Sequence, residues 1–273
     1  MSDITLRRVG AIGDAVWATS LFHVLSERAK AQGGGLYFST AAPHGLFASD
    51  PLLSGVIEKD HLRGELIDLT DVYESRPTVH PVYAYADAAG VERADVRPLR
   101  VCSGLPVKPE VVYVHPAVSW ENRTLPRSFW FVVLDALRSA GKTPVVVGTR
   151  AEVAPFVKFS TLTCDLVQFA RYIRNGVFLG SDSGPLQIAA AVGVPCVGLY
   201  TCAVSRYRAP VQPLQPFVSI DAGSDCIGCL HRAPAPVRFI DCDQPTAWRH
   251  RCLQAFDPVQ VAVAVVTLFD EAQ

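Results

Sequence analysis

The run Phe178-Leu179-Gly180-Ser181-Asp182-Ser183-Gly184-Pro185-Leu186-Gln187-Ile188-Ala189-Ala190-Ala191 constrains the fold more than any other part of the chain. An apolar strand enters a Ser-Asp-Ser-Gly turn, and a helix of small residues starts at once. An apolar run without alternation reads as a strand buried on both faces, which is the habit of parallel sheets covered by helices. The turn aims backbone N–H groups and a carboxylate at one point. A helix N-terminus carries unsatisfied donors and a positive partial charge, so it favours a phosphate. The segment therefore points to a nucleotide or phosphate ligand, with helix capping as the plainer role for Asp182 and Ser183.

The same rhythm recurs along the chain. Strands are expected at residues 4–9, 36–39, 55–58, 66–69, 111–115, 145–147, 177–180 and 196–200. Helices are expected at 15–30, 43–47, 128–140, from 152 onward, and at 165–175, 185–192 and 259–269, the last capped by Asp257. Between residues 70 and 105 Pro, Asp and Arg dominate, and no regular element is assigned. Alternating strands and helices predict an α/β protein of parallel sheets. The Pro-containing stretch Gly104-Leu105-Pro106 divides it into units 1–106 and 107–256, followed by a terminal helix at 257–273. Two such units make a cleft, and ligands of open α/β sheets sit at the carboxyl ends of the strands.

With 273 residues, 49% of them hydrophobic, the chain has enough apolar material for two cores. A net charge of -1 gives no electrostatic push toward nucleic acid or membrane. The first eight residues lack the apolar core of a signal peptide, and no run of 18 apolar residues exists. A cytoplasmic location is expected, so the eight cysteines are expected to be thiols or metal ligands rather than disulfides. Four of them, Cys226, Cys229, Cys242 and Cys252, fall in a loop-like stretch, residues 221–256, with a close first pair. That pattern suits a structural metal site, zinc by default and iron as the other thiolate-loving choice, with His231 and His250 as competing ligands. The alternative is a loop with several unpaired thiols. Cys164 and Cys196 stand in apolar contexts and read as core residues.

Two further loops carry candidate chemistry. In Gly10-Ala11-Ile12-Gly13-Asp14 the glycines let the backbone approach a ligand, and Asp14 is either a general base or the cap of the next helix. Ala15 and Val16 follow where a dinucleotide fingerprint needs a third glycine, so a nicotinamide cofactor is discounted. In the loop from His115 to Pro126, Arg123 can hold a diphosphate and Ser119 can donate to it, or both belong to an ordinary surface loop. The aromatic and basic segment from Tyr200 to Arg208 can contact an acceptor, with Arg206 and Arg208 on phosphate; the plainer reading of the two arginines is a solvated rim.

In this order the pieces resemble glycosyltransferase family 9, the ADP-heptose lipopolysaccharide heptosyltransferases. The resemblance rests on Gly13-Asp14 with Thr19, on Arg123-Thr124-Leu125-Pro126 with Trp130, on residues 148–152, and on Ser181-Asp182-Ser183-Gly184-Pro185. It implies a GT-B fold: two Rossmann-like domains facing across a cleft, acceptor on the first and donor on the second, with a C-terminal helix crossing back to the first. By that resemblance Asp14, beside Gly13, is the catalytic base. Arg123 and Ser119 hold the donor diphosphate, and Glu152 contacts the nucleoside. Asp182, Ser183 and Gly184, with Pro185 and Gln187 of the same motif, hold the sugar and diphosphate. The implied reaction is an inverting displacement from a nucleotide sugar, ADP-heptose first, with no cofactor required for chemistry. A glycan or protein hydroxyl is the implied acceptor, nucleic acid is disfavoured, membrane contact is peripheral at most, and a homo-oligomer is allowed.

The chain departs from the family pattern in three places. Gln187 stands where the family has His, and Gln does not titrate. The first unit is short. The cysteine cluster is similar, in spacing and position, to the iron finger of the autotransporter heptosyltransferases. Other readings of the same residues are a non-catalytic nucleotide-sugar-binding or assembly subunit, or a transferase acting on protein or modified nucleic acid.

Overall fold

A computed structural model describes residues 2–58, 60–232, 242 and 250–273. Its first unit is a parallel sheet of β1 (Ile4–Arg8), β2 (Leu36–Thr40), β3 (Gly55–Ile57) and β4 (Glu65–Asp68), in the order β3-β2-β1-β4. Ile4 pairs with Leu36 on one side and Glu65 on the other, so the chain reverses its direction of growth at β1. The loop leaving β1 therefore opens at a topological switch point.

The helix expected over 15–30 is two helices, α1 (Ile12–Ala18) and α2 (Phe22–Ala31), joined by a tight 3-10 turn at Thr19–Leu21. Two consecutive hydroxyls cause the break: Thr19 donates to the Val16 carbonyl at 2.6 Å and Ser20 to that of Trp17 at 2.7 Å. Such back-bonding competes with the helical ladder. Two helices were not anticipated: a short one at Cys229–Arg232, in the stretch read as loop-like, and α3 (Pro81–Ala88), in the Pro- and Arg-rich stretch. The α3 helix is started by His80, whose ring accepts from the Val82 N–H, and by Pro81 in the first turn.

The second unit is a six-stranded parallel sheet of β5 (Val111–His115), β6 (Pro144–Gly148), β7 (Ser160–Thr163), β8 (Gly176–Ser181), β9 (Cys196–Tyr200) and β10 (Phe217–Asp221). Its order, β10-β9-β8-β5-β6-β7, puts a second switch point between β5 and β8. Its helices are α4 (Arg127–Ser139), α5 (Arg150–Val153), α6 (Leu166–Tyr172), α7 (Gly184–Val192), α8 (Cys229–Arg232) and α9 (Pro258–Glu271). Every residue of β8 and β9 is buried, as expected of central strands. The two parallel sheets bear out the α/β, Rossmann-like class.

The terminal helix differs from expectation. Asp257 does cap α9, accepting from the Val259 and Gln260 N–H groups. Its buried stripe, Val261, Ala262, Val265, Leu268 and Phe269, however, joins the cluster formed by α4 and the second sheet. It packs there rather than back on the first unit, because Phe129, Val133 and Leu137 of α4 offer the matching apolar face. The rest of the expected cysteine loop, 233–241 and 243–249, lies outside the described residues. Among the described residues no helix is long and apolar enough to cross a membrane.

Between the units α1 meets α7 glycine to glycine. A Cβ on Gly13 would stand 3.6 Å from the Gly184 Cα, and a Cβ on Gly184 would collide with the Ile12 methyl. Contact this close brings the loops leaving β1, β5 and β8 to one place.

Candidate active site

A cleft of about 560 Å³ opens where those loops converge, a volume within the ordinary range for a small-molecule site. Gly13 and Asp14 line it from the first unit. Ser119, Arg123, Glu152, Asp182, Ser183, Gly184, Pro185 and Gln187 line it from the second. All ten candidate residues outside the cysteine cluster thus face one space.

Asp14 is the most constrained of them. The cap position of α1 is Ala11, and Asp14 sits three residues into the turn. Its Oδ2 accepts from the Ala11 N–H at 3.2 Å and from Arg8 Nη2 at 2.7 Å. The Tyr73 hydroxyl donates to Oδ1 across 3.3 Å. Arg8, its side chain 2% exposed, also pairs with Glu74 at 2.6 Å. Burial pushes the Asp14 carboxyl above the usual carboxylate range; Arg8, Arg208, Tyr73 and the Ala11 N–H pull it back only in part. The result is a carboxylate with one oxygen fixed by strong donors and the other held by a single long contact. A raised pKa makes it a better proton acceptor than a surface aspartate.

Across the cleft, Ser183 is the N-cap residue of α7, in extended backbone, and its hydroxyl has no partner among the described residues. Gly184 and Pro185 form the first turn, so the Gly184 and Leu186 N–H groups lack intrahelical acceptors and Pro185 has none to lose. Asp182 is buried and tied to Arg123, whose Nη1 donates to its carbonyl at 2.7 Å and its carboxylate at 3.1 Å. Arg123 also lies over the Trp120 ring, 3.8 Å from the centroid. Gln187 is buried and donates Nε2 to the Arg208 carbonyl at 3.0 Å. Glu152 accepts from the Thr149 N–H at 2.7 Å, fixing the start of α5, and stands 3.9 Å from His115. Burial holds His115 down to about 4 against the pull of Glu152, so its imidazole is neutral. Ser119 is exposed at the mouth.

Trp17 and Tyr73, which the sequence did not single out, also line the cleft, and so does Arg208. Arg206 is exposed, as a rim residue should be. Arg208 is not: it is 8% exposed, and its guanidinium lies 5.2 Å from the Trp17 ring centre and 5.0 Å from that of Tyr73. Cys196 is a core thiol as read, whereas Cys164 is half-buried and lines the cleft.

None of the four clustered cysteines lines this space, although Cys229 belongs to a small core cluster against which Trp120 of the cleft wall packs. The thiols of Cys226, Cys229 and Cys242, together with burial as the largest cause, push that of Cys252 up to about 12. The four thiols are therefore near enough to influence one another, but among the described residues no three ligating groups are set to hold a metal ion. His231 is not a competing ligand. Its Nδ1 stands 2.6 Å from the Pro77 carbonyl, and its Nε2 accepts from the Val204 N–H at 3.1 Å.

No protein-family model matches the chain, and no curated protein matches it. Solved structures do. A glycosyl transferase family 9 protein from Veillonella parvula superposes with a TM-score of 0.73 at 15% identity, over 99% of this chain and 97% of its own. TibC, an iron-containing dodecameric glycosyltransferase from enterotoxigenic E. coli, gives 0.77 at 14% identity, over 100% and 77%. The ADP-heptose lipopolysaccharide heptosyltransferase II of E. coli gives 0.62 at 12% identity, over 99% of each chain. Likeness at such identities speaks for the fold alone, and there it agrees with the motifs: this chain has the GT-B fold of the family 9 heptosyltransferase structures.

Proposed function

We propose that the protein is an inverting glycosyltransferase that moves a sugar, heptose first, from a nucleoside diphosphate, ADP first, to the hydroxyl of a glycan or protein. The observation that carries the reading is the pairing, in one cleft, of a buried carboxylate with one loosely held oxygen and the open start of α7. In this reading the acceptor hydroxyl gives its proton to Asp14 Oδ1 as its oxygen attacks the anomeric carbon. The bond from that carbon to the phosphate oxygen breaks on the opposite face, and its electron pair stays on the diphosphate. Backbone donors at Gly184 and Leu186, with the Ser183 hydroxyl, receive that charge where a helix N-terminus favours it. Asp182 is placed for a sugar hydroxyl, Glu152 for the nucleoside, and Ser119 for the mouth of the site.

TibC has been solved with ADP-D-β-D-heptose, which supports that donor class for a cleft of this fold. Its iron supports a structural metal at Cys226, Cys229, Cys242 and Cys252, held outside the reaction path. Its dodecameric state supports a homo-oligomer, and the domain division at residue 106 and a cytoplasmic location belong to the same reading.

Calorimetry with ADP, UDP, GDP and dTDP tests the reading, followed by the release of nucleoside diphosphate from the matching sugar nucleotide. One of the four should bind and its sugar nucleotide should turn over. A protein that binds none of them, or that binds one and never breaks the glycosyl–phosphate bond with any acceptor or with water, is not this enzyme.

A further inference from the structure

The cleft contains a cation that none of these roles employs. The Arg208 side chain is buried against the rings of Trp17 and Tyr73, and among the described residues no carboxylate oxygen lies within 4 Å of its guanidinium. Arg123 is the contrary case, its Nη1 committed to the backbone carbonyl and one carboxylate oxygen of Asp182. With no carboxylate in direct contact, the guanidinium keeps part of its planar fork of donors open, and that fork matches phosphate oxygens. The partner that the open part of the fork suits best is an anion of the ligand.

The backbone that carries Arg208 is held from three sides. Its N–H donates to the Ser205 carbonyl at 2.8 Å. Its carbonyl accepts from Gln187, which lies in the first turns of α7. The next carbonyl, that of Ala209, stands 2.8 Å from His80 Nε2 of the first unit. His80 accepts at Nδ1, so Nε2 carries the proton and donates. The loop is thereby stapled to the phosphate-facing helix on one side and to the first unit on the other. Burial works against the Arg208 charge, but Tyr73, Asp182 and Asp14 face it and hold its pKa above the ordinary guanidinium value. The cation thus stands between the proposed base and the loop before α7, and it needs no reorganisation to act there.

We propose that Arg208 is a catalytic residue that takes the negative charge developing on the departing diphosphate. The proposal rests on the functional reading above. In the displacement the electron pair of the broken carbon–oxygen bond goes to the phosphate oxygen, so the free diphosphate is more negative than the donor. A cation placed there favours the transition state and the product over the donor.

The test compares Arg208→Gln, Arg208→Lys and, as a control in the same loop, the exposed Arg206→Gln. Each is titrated calorimetrically with whichever of ADP, UDP, GDP and dTDP the unaltered protein binds, and assayed for release of that diphosphate from its sugar nucleotide. Arg208→Gln should bind the diphosphate at least about tenfold more weakly and turn over about 10²- to 10³-fold more slowly. Arg206→Gln should match the unaltered protein. Equal diphosphate affinity in Arg208→Gln overturns the proposal even if turnover falls, because the residue would then act through Asp14. If Arg208→Gln does not fold, Arg208→Lys decides: a point charge replaces the fork, affinity should drop several-fold, and no change overturns the proposal. Failure of the unaltered protein to bind any of the four diphosphates is a different result, since it removes the functional reading itself.

Discussion

Replacing Asp14 by Asn and by Ala separates its chemistry from its structural duty. Asn keeps the shape and an acceptor oxygen for Arg8 and the Ala11 N–H, at 2.7 and 3.2 Å in the native protein. Ala removes both contacts. A buried hydrogen bond to a charged group contributes about 1.5–3 kcal/mol, and the acceptor at a helix start about 1 kcal/mol. Asp14→Ala should therefore be about 3 kcal/mol less stable than Asp14→Asn, which for a chain of this size is about 6–12 °C in melting temperature. Comparison of Asn with Asp has the opposite sign. The folded-state pKa of Asp14 is raised, chiefly by burial, so the ionised carboxylate costs stability once the pH is above its unfolded value of about 3.9. Asp14→Asn should therefore melt at or above the native protein at pH 7, and the gain should vanish below pH 4. Turnover should fall about 10²- to 10⁴-fold in both variants for want of the base. Melting curves at the two pH values and a single-turnover assay are the measurements. An Asn variant that melts as low as the Ala variant at pH 7 would refute the burial argument, and one that keeps native turnover would refute the assignment of the base.

Two further outcomes are expected. His80 and His231 bridge the units as neutral rings held down to about 4, mainly by burial. Each should lower stability by about 1.4 kcal/mol per pH unit as pH falls from about 6.5, where the unfolded chain begins to take the proton, toward 4. Chemical denaturation of the native protein and of His80→Asn checks this, and parallel profiles for the two would count against it. Elemental analysis of purified protein should find about one zinc or iron per chain, lost in Cys229→Ser; a metal-free native protein removes the proposed cysteine site.

The central strands were legible almost to the residue because burial on both faces writes an uninterrupted apolar run, as in Val111–His115 and Cys196–Tyr200. The edge strands Ser160–Thr163 and Phe217–Asp221 were missed for the reverse reason. They are short and partly exposed, and the first has two Thr and a Ser among four residues. The site loops were readable because parallel sheets place chemistry after strand ends, so Asp14, Arg123 and Asp182 were found by position. Arg208 was named only together with Arg206, with a solvated rim as the plainer reading, since nothing local distinguishes the two. The burial of Arg208 comes from Gln187 and His80, far away in sequence, holding its loop. The stripe on α9 likewise announced a packed helix without saying that α4 would be the partner.

Gly184 has a mechanical role besides freeing backbone donors for phosphate. Its φ is not left-handed, so no special conformation demands glycine there, and the volume a side chain would take is filled by the Ile12 methyl. Ile12 opens α1, and Asp14 stands two residues further on. The first turn of the helix proposed to grip the donor thus bears directly on the helix that carries the proposed base. The two helices meet there through backbone, the Ile12 methyl and the Gln187 side chain, so the seat proposed for the diphosphate and the aim of the carboxylate share one packed contact.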